Sequence, residues 1–455
     1  MEKFIGRKHE LSLIEQILKK PSASVMIYGK RKVGKTTLIK YALRNSKIPT
    51  VYYECLKASE KENVTGFINE LVRCKIFPFF ISFDSFVDVF SYINYLNTPL
   101  NIVIDEYPYL KKLERSEIID SKFQKIIDNY TENIHLFLSG SHIGMMKDML
   151  QEKNALYGRF SLTIQLKELN YKEAAEFYPQ KSVYEKVGFY SVFGGSPFVN
   201  GFLDSDKDLK TNIINTVLNE NSAVFNYADN LLFSDFSKSV NAERIMFAVA
   251  NGKKKYGDIE NVLGINNNGL LSKHIFSLLD MEILTKSFPI NKPDNNKKSY
   301  YELCDNLLRF YFAFVYKNKS ALTMLGAEAF YTEYIEKPLI TFISFRFEEI
   351  CRSCFSLLAK DGKLPGVTNI GVYNYDDAAT HTSGEFDVVL QRKDIFDIYE
   401  VKYYSEQLSE KEIEAEADKI RRVKGLTLGK IGFISVNGFE STNKNYVFLS
   451  GKDLY

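Results

Sequence analysis

The chain has 455 residues, of which 45% are hydrophobic and 25% are charged, and its formal net charge is +2. This length exceeds what one hydrophobic core organises and predicts about three or four domains. The near-zero charge excludes a protein-wide basic surface for nucleic acid. The five cysteines are few and scattered, which excludes a disulfide framework. No apolar run approaches the roughly 18 residues of a membrane span and the charged start lacks an apolar signal core, so we expect a cytoplasmic protein with no membrane partner.

The segment "VMIYGKRKVGKTTLIKYAL" predicts a strand, a glycine-rich turn and a helix. Within it, Gly29-x-x-x-x-Gly34-Lys35-Thr36 is a complete Walker A pattern. Gly34 lets the backbone approach a phosphate, Lys35 reaches the β- and γ-phosphates, and the Thr36 hydroxyl binds Mg²⁺. The sequence therefore predicts ATP and Mg²⁺ as cofactors. The predicted nucleotide contacts in this loop are Gly29, Lys30, Arg31, Lys32, Val33, Gly34, Lys35, Thr36 and Thr37.

A second strand that ends in acidic residues is predicted in "PLNIVIDEYPYL". There Asp105 is predicted to hold Mg²⁺ through water, and Glu106 is predicted to polarise the attacking water. The alternative is a strand followed by a solvated acidic turn. Because a Walker A pattern lies upstream, the catalytic interpretation is favoured.

Two further segments contain candidate residues for sensing the γ-phosphate or for stabilising the charge of the transition state. The apolar strand "NIHLFLSGS" ends in Ser139 and Ser141, and a polar side chain between the two Walker strands would sense the γ-phosphate. The sequence does not choose between the serines; Ser141 is included among the predicted nucleotide contacts. Arg159 follows a Tyr157-Gly158 turn, and it is either an arginine finger, in cis or from another subunit of a homo-oligomer, or a structural salt bridge.

Taken in order, the segments "FIGRKHEL", "YGKRKVGKTTLI", "IVIDE", "LSGS", "LYGR" and "FGGSPFV" resemble the archaeal-type ATPase family of the AAA+-like P-loop proteins. The resemblance covers residues 1–240 and implies an αβα P-loop core followed by a helical lid. It also implies that "FGGSPFV" lies in the lid and helps to close over nucleotide. From residue types alone, that segment predicts only a turn.

Residues 242–285 predict three short helices, and "LTKSFPINKPDNNKKSYYELC" predicts a hairpin after them. This order is that of a winged helix, which often places its third helix in the DNA major groove. The alternative is a spacer between domains whose basic loops are merely solvated. The candidate DNA contacts are Asn267, Asn268, Ser272, Lys273 and His274 on the third helix, Lys292, Lys297 and Lys298 in the hairpin, and Lys253, Lys254 and Lys255 before it.

The segment "SGEFDVVLQRKDIFDIYEVKYY" predicts two strands joined by a two-residue turn, Lys393-Asp394. That register places four charged side chains on one face, with Asp387 opposite Glu400 and Glu385 opposite Lys402. Facing carboxylates repel unless a cation lies between them. Their oxygens suit Mg²⁺ or Mn²⁺, and a lysine beside such a metal can activate a water against a phosphodiester.

Asp387 followed by Glu400-x-Lys402 on adjacent strands, with a glutamate on a preceding helix, resembles the PD-(D/E)xK nuclease fold. The resemblance implies that Asp387, Glu400 and Glu348 bind metal and that Lys402 is catalytic, with Glu349 competing for the helix position. No proline precedes Asp387, which departs from the pattern. In the alternative, Lys402 is neutralised by Glu400 or by the glutamate opposite it, with no metal and no chemistry.

Together these patterns predict a multidomain α/β protein. Its parts are a P-loop ATPase core (1–170), a helical lid (171–240), a winged-helix domain (241–304) and a restriction-endonuclease-like α/β domain (305–455). The predicted function is an Mg²⁺-dependent ATPase coupled to a nuclease-like, DNA-binding domain; the alternative is a nucleotide-switched protein-interaction module whose nuclease-like domain is inactive. DNA, a protein and further copies of the chain are the candidate partners besides ATP. The predicted catalytic residues are Lys35, Glu106 and Arg159 in the ATPase and Asp387, Glu400 and Lys402 in the C-terminal domain.

Overall fold

The computed structural model describes residues 4–111, 116–234, 240–264, 269–377, 382–423 and 425–455. The chain divides into two compact units, one of residues 1–169 with 196–198 and the other of residues 170–195 with 199–455. The four-part division predicted from the sequence is finer than this and stays a prediction. Within the described ranges, no helix combines the length and the apolar character that crossing a bilayer requires.

The first unit is built on a five-stranded, fully parallel sheet in the order β2-β3-β4-β1-β5. Its strands are β1 (Ala23–Tyr28), β2 (Thr50–Glu54), β3 (Leu100–Asp105), β4 (Ile134–Gly140) and β5 (Leu162–Gln165). Its helices are α1 (Lys8–Ile17), α2 (Lys35–Leu43), α3 (Glu60–Arg73), α4 (Phe86–Leu96), α5 (Ser116–Asn129) and α6 (Ile143–Asp148). The order places β4 between β1, which leads into the Walker A loop, and β3, which carries the Walker acids.

Both faces of this sheet are covered. Along β1, Met26 and Tyr28 belong to one buried apolar cluster, while Val25 and Ile27 belong to another. Because successive side chains of a strand point to opposite faces, the two clusters lie on opposite sides of the sheet. Strands β1, β3 and β4 are buried along their whole length, as is usual for parallel strands under helices. This is the predicted αβα layering.

The second unit begins with helices and ends with a mixed sheet. Its first helices are α7 (Tyr171–Ala174), α8 (Val183–Phe193), α9 (Pro197–Asn200, whose first two residues belong to the first unit), α10 (Leu209–Thr216) and α11 (Ala223–Ser234). Helices α12 (Val240–Ala250), α13 (Tyr256–Leu263) and α14 (Leu270–Asp280) precede an antiparallel hairpin of β6 (Leu284–Ser287) and β7 (Tyr300–Leu303). Three helices and a hairpin are the element order predicted for a winged helix, an assignment that stays a prediction.

The C-terminal part of this unit contains a five-stranded sheet in the order β12-β11-β10-β9-β8. Its strands are β8 (Asn369–Asp377), β9 (Thr382–Arg392), β10 (Ile395–Lys402), β11 (Leu428–Ser435) and β12 (Val447–Ser450). The helices around it are α15 (Asn306–Phe310), α16 (Lys319–Leu325), α17 (Ala327–Phe330), α18 (Glu336–Lys360), α19 (Glu410–Arg422) and α20 (Gly451–Leu454). Strand β9 pairs antiparallel with β8 and β10, whereas β11 pairs parallel with β10 and β12.

Helix α8, predicted as part of the ATPase lid, packs within the second unit. Tyr184 at its start stacks on Tyr403 at the end of β10, with ring centroids 4.4 Å apart, and the Tyr403 hydroxyl donates to the Tyr184 carbonyl oxygen at 3.0 Å. Nearby, the Tyr171 hydroxyl donates to the Leu454 carbonyl oxygen at 2.5 Å. These contacts join residues 170–195 to Tyr403, which directly follows β10, and to Leu454 in the C-terminal helix α20.

Candidate functional sites

The Walker A loop connects β1 to α2, and two glycines shape it. Gly34 adopts a left-handed conformation with φ 94°, which glycine tolerates best. At Gly29 an added Cβ would lie 2.1 Å from the Leu166 carbonyl oxygen, so no larger residue fits without displacing the backbone. The Lys35 ammonium donates to the carbonyl oxygens of Gly29 (2.8 Å) and Lys30 (2.9 Å), and burial lowers its pKa. The loop therefore fixes the lysine that is predicted to meet phosphate.

Two arginines position this loop or its surroundings. Arg7, which is 5% exposed, donates to the carbonyl oxygens of Val33 (3.1 Å) and Lys167 (2.5 Å). The sequence did not predict this anchoring role, because the contact joins residues far apart in the chain. Arg31, a predicted nucleotide contact, donates to the Tyr109 hydroxyl at 2.8 Å.

The Walker A and Walker B residues meet at Asp105. Its Oδ2 atom accepts a hydrogen bond from the Thr36 hydroxyl at 2.7 Å and another from the Tyr52 hydroxyl. Its Oδ1 atom accepts from the Ser139 hydroxyl. Asp105 is 3% exposed, and three hydroxyl groups satisfy its oxygens without neutralising them. A hydroxyl and a carboxylate at this spacing are oxygen ligands of the kind that Mg²⁺ prefers, so Thr36 and Asp105 fit the predicted ion.

Tyr52 is a site residue that the sequence reasoning missed. It lies on β2, two residues before Glu54, and Glu54 is the register partner of Asp105 on β3. Residues two apart on a strand point to the same face, which brings the hydroxyl to the carboxylate. Burial and then Asp105 raise the pKa of Tyr52, so the group stays a donor. Only the strand order reveals this pairing, because residues 52 and 105 belong to separate segments.

Glu106 lies at the turn after β3 with φ 51° and is held by Ser141. The backbone N–H of Ser141 donates to Glu106 Oε2 at 3.2 Å, and its hydroxyl donates to the same atom at 2.8 Å. The two serines thus have different partners: Ser139 contacts Asp105, the acid predicted to bind Mg²⁺, and Ser141 contacts Glu106, the acid predicted to polarise water. Which of them senses phosphate stays a prediction.

Residues 196–198 of the "FGGSPFV" segment pack against the Walker A loop within the first unit. The Lys32 ammonium lies 4.3 Å from the centroid of the Phe198 ring, and the Ser196 hydroxyl donates to the Lys32 carbonyl oxygen at 3.5 Å. An added Cβ on Gly34 would lie 3.7 Å from Cγ of Pro197. The segment predicted to close over nucleotide is therefore in contact with the loop.

Arg159 forms an ion pair in this structure. Its Nε and Nη2 atoms donate to the carboxylate of Asp128 at 3.0 Å each, and its side chain is 29% exposed. This is the salt bridge that the sequence left as one of two alternatives. To act as an arginine finger, Arg159 would have to leave Asp128, and this role stays a prediction. The homo-oligomer in which it would act also stays a prediction.

In the C-terminal domain, the β9–β10 hairpin has the predicted two-residue turn. Arg392 pairs with Ile395, and the register continues to Val388 opposite Tyr399. The next position along this register would place Asp387 opposite Glu400, just beyond the paired residues. The register prediction is therefore confirmed over the paired part of the hairpin, and the charged residues lie at its open end.

Lys402 is engaged by two carboxylates. Its ammonium lies 2.8 Å from Glu400 Oε1 and 3.3 Å from Glu416 Oε1, and its side chain is 22% exposed. Burial acts to lower the pKa of Lys402, but the two carboxylates outweigh it and the pKa is raised. The sequence predicted the contact with Glu400 as an alternative to metal binding. It missed Glu416, which α19 supplies and whose only signal was a charged amphipathic helix.

Glu348 and Asp387 form a second, different acidic pair. The pKa of Glu348 is raised, first by burial and then by Asp387, and the pKa of Asp387 is raised by burial and by Glu385 and Glu400. Arg352 moderates both, and it donates to the Asp387 carbonyl oxygen at 2.5 Å. Two half-buried carboxylates that repel each other share a site where a second negative charge is disfavoured.

Glu349, the competitor for the helix position, points into a cluster of arginines. It forms ion pairs with Arg309 and, at 3.3 Å, with Arg346. Burial acts to raise the pKa of Glu349, but these arginines lower it. Glu349 is therefore neutralised, whereas the negative charge of Asp387 raises the pKa of Glu348.

The predicted C-terminal metal ligands are thus only partly brought together. Across the described ranges, no group of three or more His, Cys, Asp or Glu side chains is arranged to hold a metal ion. Glu348 and Asp387 offer oxygen ligands that a hard cation would relieve of mutual repulsion. Glu400 is bound by Lys402 instead. Metal binding by Asp387, Glu400 and Glu348 stays a prediction.

Helix α14, which is predicted to contact DNA, exposes both a basic and an aromatic side chain. On α14, Lys273 is exposed, and Phe276 on the same helix is 71% exposed. The predicted contacts Asn267 and Asn268 lie outside the described residues. An exposed phenylalanine beside one lysine does not form the clustered basic face that phosphate binding needs. DNA contact through this helix stays a prediction.

Two parts of the chain are similar to known protein families. Residues 4–199 match a family described as an ATPase domain predominantly from Archaea. Residues 311–416 match a second family, described as archaeal and bacterial proteins of unknown function. The first match shows that residues 4–199 are similar to an archaeal-type ATPase domain. The second spans α18 and the β9–β10 hairpin and assigns no activity to them.

Individual proteins and one solved structure are also similar to this chain. An uncharacterized protein of Methanocaldococcus jannaschii is 29% identical over 367 residues, which are 80% of this chain and 79% of that protein. A short uncharacterized ATP-binding protein of the same archaeon is 43% identical over 53 residues, 11% of this chain and 90% of its own length. The solved structure of a Walker-type ATPase from Pyrococcus abyssi aligns with a TM-score of 0.51 at 17% identity, covering 68% of this chain and 96% of that one. This last likeness supports the P-loop ATPase fold.

Proposed function

We propose that the protein is an Mg²⁺-dependent ATPase coupled to a nuclease-like, nucleic-acid-binding C-terminal domain. The observation that carries the ATPase half is the meeting of Thr36 and Asp105, whose side-chain oxygens lie 2.7 Å apart at the end of the Walker A loop. These two residues would hold Mg²⁺, which would supply positive charge that stabilises the negative charge of the phosphates. Lys35 would contact the same phosphates from the loop.

Glu106 would orient the attacking water, since it follows the Mg²⁺-binding acid directly and lies at the same strand end. Ser141 holds its carboxylate through two hydrogen bonds. A general base must be within hydrogen-bond reach of the water it polarises, and apo geometry often tightens only when substrate binds. Ser141 is therefore proposed to set the orientation from which Glu106 acts.

The ATPase proposal is tested with purified protein and a phosphate-release assay. We expect Lys35→Ala to lower ATP hydrolysis about 100-fold or more, because it removes a charge aimed at the transferring phosphoryl group. Lys47→Ala is the matched control, since Lys47 is an exposed lysine just beyond α2 and should leave the rate unchanged. A wild-type rate no higher than that of Lys35→Ala would remove the proposal.

The nuclease-like half is supported by Glu348 and Asp387, two half-buried carboxylates whose raised pKa values mark a place where a cation would be stabilising. The test is cleavage of single- and double-stranded DNA and RNA with Mg²⁺ or Mn²⁺. Metal-dependent cleavage that is lost in Asp387→Asn and retained in Asp418→Asn, an exposed aspartate on α19, would support it. ATP hydrolysis without cleavage of any of these substrates would remove the catalytic part.

A second candidate is a nucleotide-switched interaction module whose nuclease-like domain is inactive. The contact that favours it is the double ion pair of Lys402 with Glu400 and Glu416, because this network balances charge without a metal. The two candidates differ in their response to salt. DNA binding whose affinity falls steeply with ionic strength supports the nucleic-acid candidate, and a slope near zero supports the protein-interaction candidate.

A further inference from the structure

The turn that follows Glu106 is held by a buried polar cluster outside the Walker motifs. Glu106 leads into a short helical turn of Tyr107–Tyr109, and its φ of 51° lies in the left-handed region. This conformation is unfavourable for a residue with a side chain, and it persists where the surrounding structure holds the backbone firmly. The contacts of the turn therefore determine where the Glu106 carboxylate points.

Asp120 on α5 accepts three hydrogen bonds at the centre of this cluster. Its Oδ1 atom accepts from the Tyr107 hydroxyl at 2.9 Å. Its Oδ2 atom accepts from the Lys111 ammonium at 2.7 Å and from the Asn154 side-chain amide at 2.8 Å. The Asp120 cluster, which consists of these four residues, therefore ties both ends of the turn to α5.

Apolar packing holds the same turn on two sides. The ring of Tyr107 packs edge-on against Phe123 of α5, with centroids 4.9 Å apart and an angle of 83° between the rings. At the end of β4, an added Cβ on Gly140 would lie 2.6 Å from Cδ of Pro108, so the turn and the strand are in close contact. Gly140 directly precedes the serine that donates to Glu106. The backbone of the turn and the carboxylate of Glu106 are thus held by different neighbours.

The hydrogen bond from Tyr107 distinguishes this cluster from a simple ion pair. The side chains of Lys111 and Asp120 are 3% and 2% exposed and 2.7 Å apart, so the lysine balances the charge of the aspartate. The Tyr107 hydroxyl is not needed for that balance. Its bond to Asp120 instead fixes the residue next to Glu106, and its removal would leave the ion pair in place.

We propose that Tyr107 and Asp120 are positioning residues for ATP hydrolysis, which hold the turn after β3 so that Glu106 is oriented toward the attacking water. Both side chains are buried, so they act through the backbone of Glu106. Misplacing a catalytic group by about 1 Å can cost about 100-fold in rate, which makes such support important. The inference rests on the proposed ATPase function and adds the residues that orient its base.

The test compares Tyr107→Phe with wild type in steady-state ATP turnover and in binding of a non-hydrolysable ATP analogue, both on the full chain. We expect kcat to fall about tenfold, the effect of one hydrogen bond to a charged group, while the Kd of the analogue stays within about twofold. Tyr53→Phe is the matched control, since the buried Tyr53 hydroxyl donates to Asn63 at 2.9 Å, and it should leave both values unchanged. Circular dichroism checks that each variant is folded.

A double-mutant cycle with Glu106 separates positioning from a general structural defect. In the Glu106→Gln background no carboxylate base remains to be oriented, so Tyr107→Phe should change the residual single-turnover rate by less than about twofold. A structural defect instead lowers the rate by the same factor in both backgrounds.

A second variant tests the other end of the hydrogen bond. Asp120→Leu combined with Lys111→Met replaces the buried ion pair with apolar side chains, an exchange that proteins often tolerate. We expect this protein to fold and to lose turnover about tenfold, as Tyr107→Phe does, because the hydroxyl of Tyr107 no longer has its acceptor.

The proposal is overturned if folded Tyr107→Phe hydrolyses ATP within about twofold of wild type. It is also overturned if the Kd of the analogue rises as much as kcat falls, if the loss is equally large in the Glu106→Gln background, or if the folded Asp120→Leu, Lys111→Met protein is as active as wild type. Failure of the ATPase proposal gives a different result, since wild type would then hydrolyse ATP no faster than Lys35→Ala, and both proposals would fall together.

Discussion

The Walker site and the C-terminal acidic site both place carboxylates at the ends of β-strands, but they balance charge in different ways. At Asp105, three hydroxyl groups donate hydrogen bonds and leave the negative charge in place. At Glu400, the Lys402 ammonium forms a direct ion pair. A carboxylate held by neutral donors keeps its charge for an incoming cation, whereas one held by an ammonium is already compensated. This difference predicts that the Walker site binds a metal ion more readily than the C-terminal site does.

The largest effect is expected at the Walker site. If Glu106 polarises the attacking water, Glu106→Gln should lower ATP turnover about 10²- to 10⁴-fold while ATP binding is retained. Glu54→Gln is the control, because Glu54 is an exposed acid at the end of the neighbouring strand β2. Phosphate release and nucleotide binding, measured on the same preparations, check this prediction. Equal losses in both variants would contradict the assigned role.

A smaller effect is expected when the C-terminal ion pair is broken. Lys402→Met leaves Glu400 and Glu416 without their shared cation, and we expect it to destabilise the protein by about 1–3 kcal/mol. Denaturation followed by circular dichroism measures it, since the chain has no tryptophan. Lys419→Met is the matched control, because Lys419 also pairs with Glu416 but is 49% exposed. Equal shifts in the two variants would show that Lys402 is no more important than a surface lysine.

The Lys402→Met variant also tests whether a metal ion can replace the lysine charge at the C-terminal site. If Lys402 occupies the charge position that a metal would take, millimolar Mn²⁺ should restore part of the stability lost in Lys402→Met and have little effect on wild type. The measurement is the denaturation midpoint with and without Mn²⁺. Equal responses of wild type and variant to Mn²⁺ would contradict this exchange of cations.

An intermediate test concerns Tyr52, which donates to Asp105. Because the hydroxyl helps to orient the carboxylate, we expect Tyr52→Phe to raise the half-saturating Mg²⁺ concentration for ATP hydrolysis about fivefold, the effect of one hydrogen bond. Tyr53→Phe is the control, since its hydroxyl donates instead to Asn63 at 2.9 Å. A shift of the same size in both variants would rule out a specific role for Tyr52.

The smallest effect is expected at Arg159. Its ion pair with Asp128 is partly exposed, so we expect Arg159→Ala and Asp128→Ala each to change stability by less than about 1 kcal/mol. ATP hydrolysis should stay within about twofold of wild type in both variants, because Arg159 pairs with Asp128 in this structure. A large loss of turnover in Arg159→Ala alone, measured across protein concentrations, would instead identify an arginine finger.

Sequence reasoning succeeded where chemistry is contained in a short segment. The Walker A loop requires its glycines, lysine and threonine in a fixed spacing, and the structure places Lys35 and Thr36 at the start of α2. The two-residue turn between β9 and β10 was likewise readable, because turn length sets hairpin register. In both cases the interacting residues lie close together in the chain.

Sequence reasoning failed where side chains from distant segments of the chain meet. Tyr52 reaches Asp105 only because β2 pairs with β3, and Glu416 reaches Lys402 only because α19 packs on the C-terminal sheet. The choice between Glu348 and Glu349 depended on the arginines around Glu349, which α15 and α18 supply. None of these neighbours is determined by local spacing.

The sequence by itself therefore determined the phosphate-binding loop, the Walker acids and the hairpin that carries the acid-lysine pattern. These depend on backbone conformation and residue spacing within single segments. The tertiary structure decided which groups contact each carboxylate: hydroxyl groups at Asp105, an ammonium at Glu400 and arginines at Glu349. The reason is physical, since the charge state and availability of a buried carboxylate depend on what lies within a few ångströms of it in space.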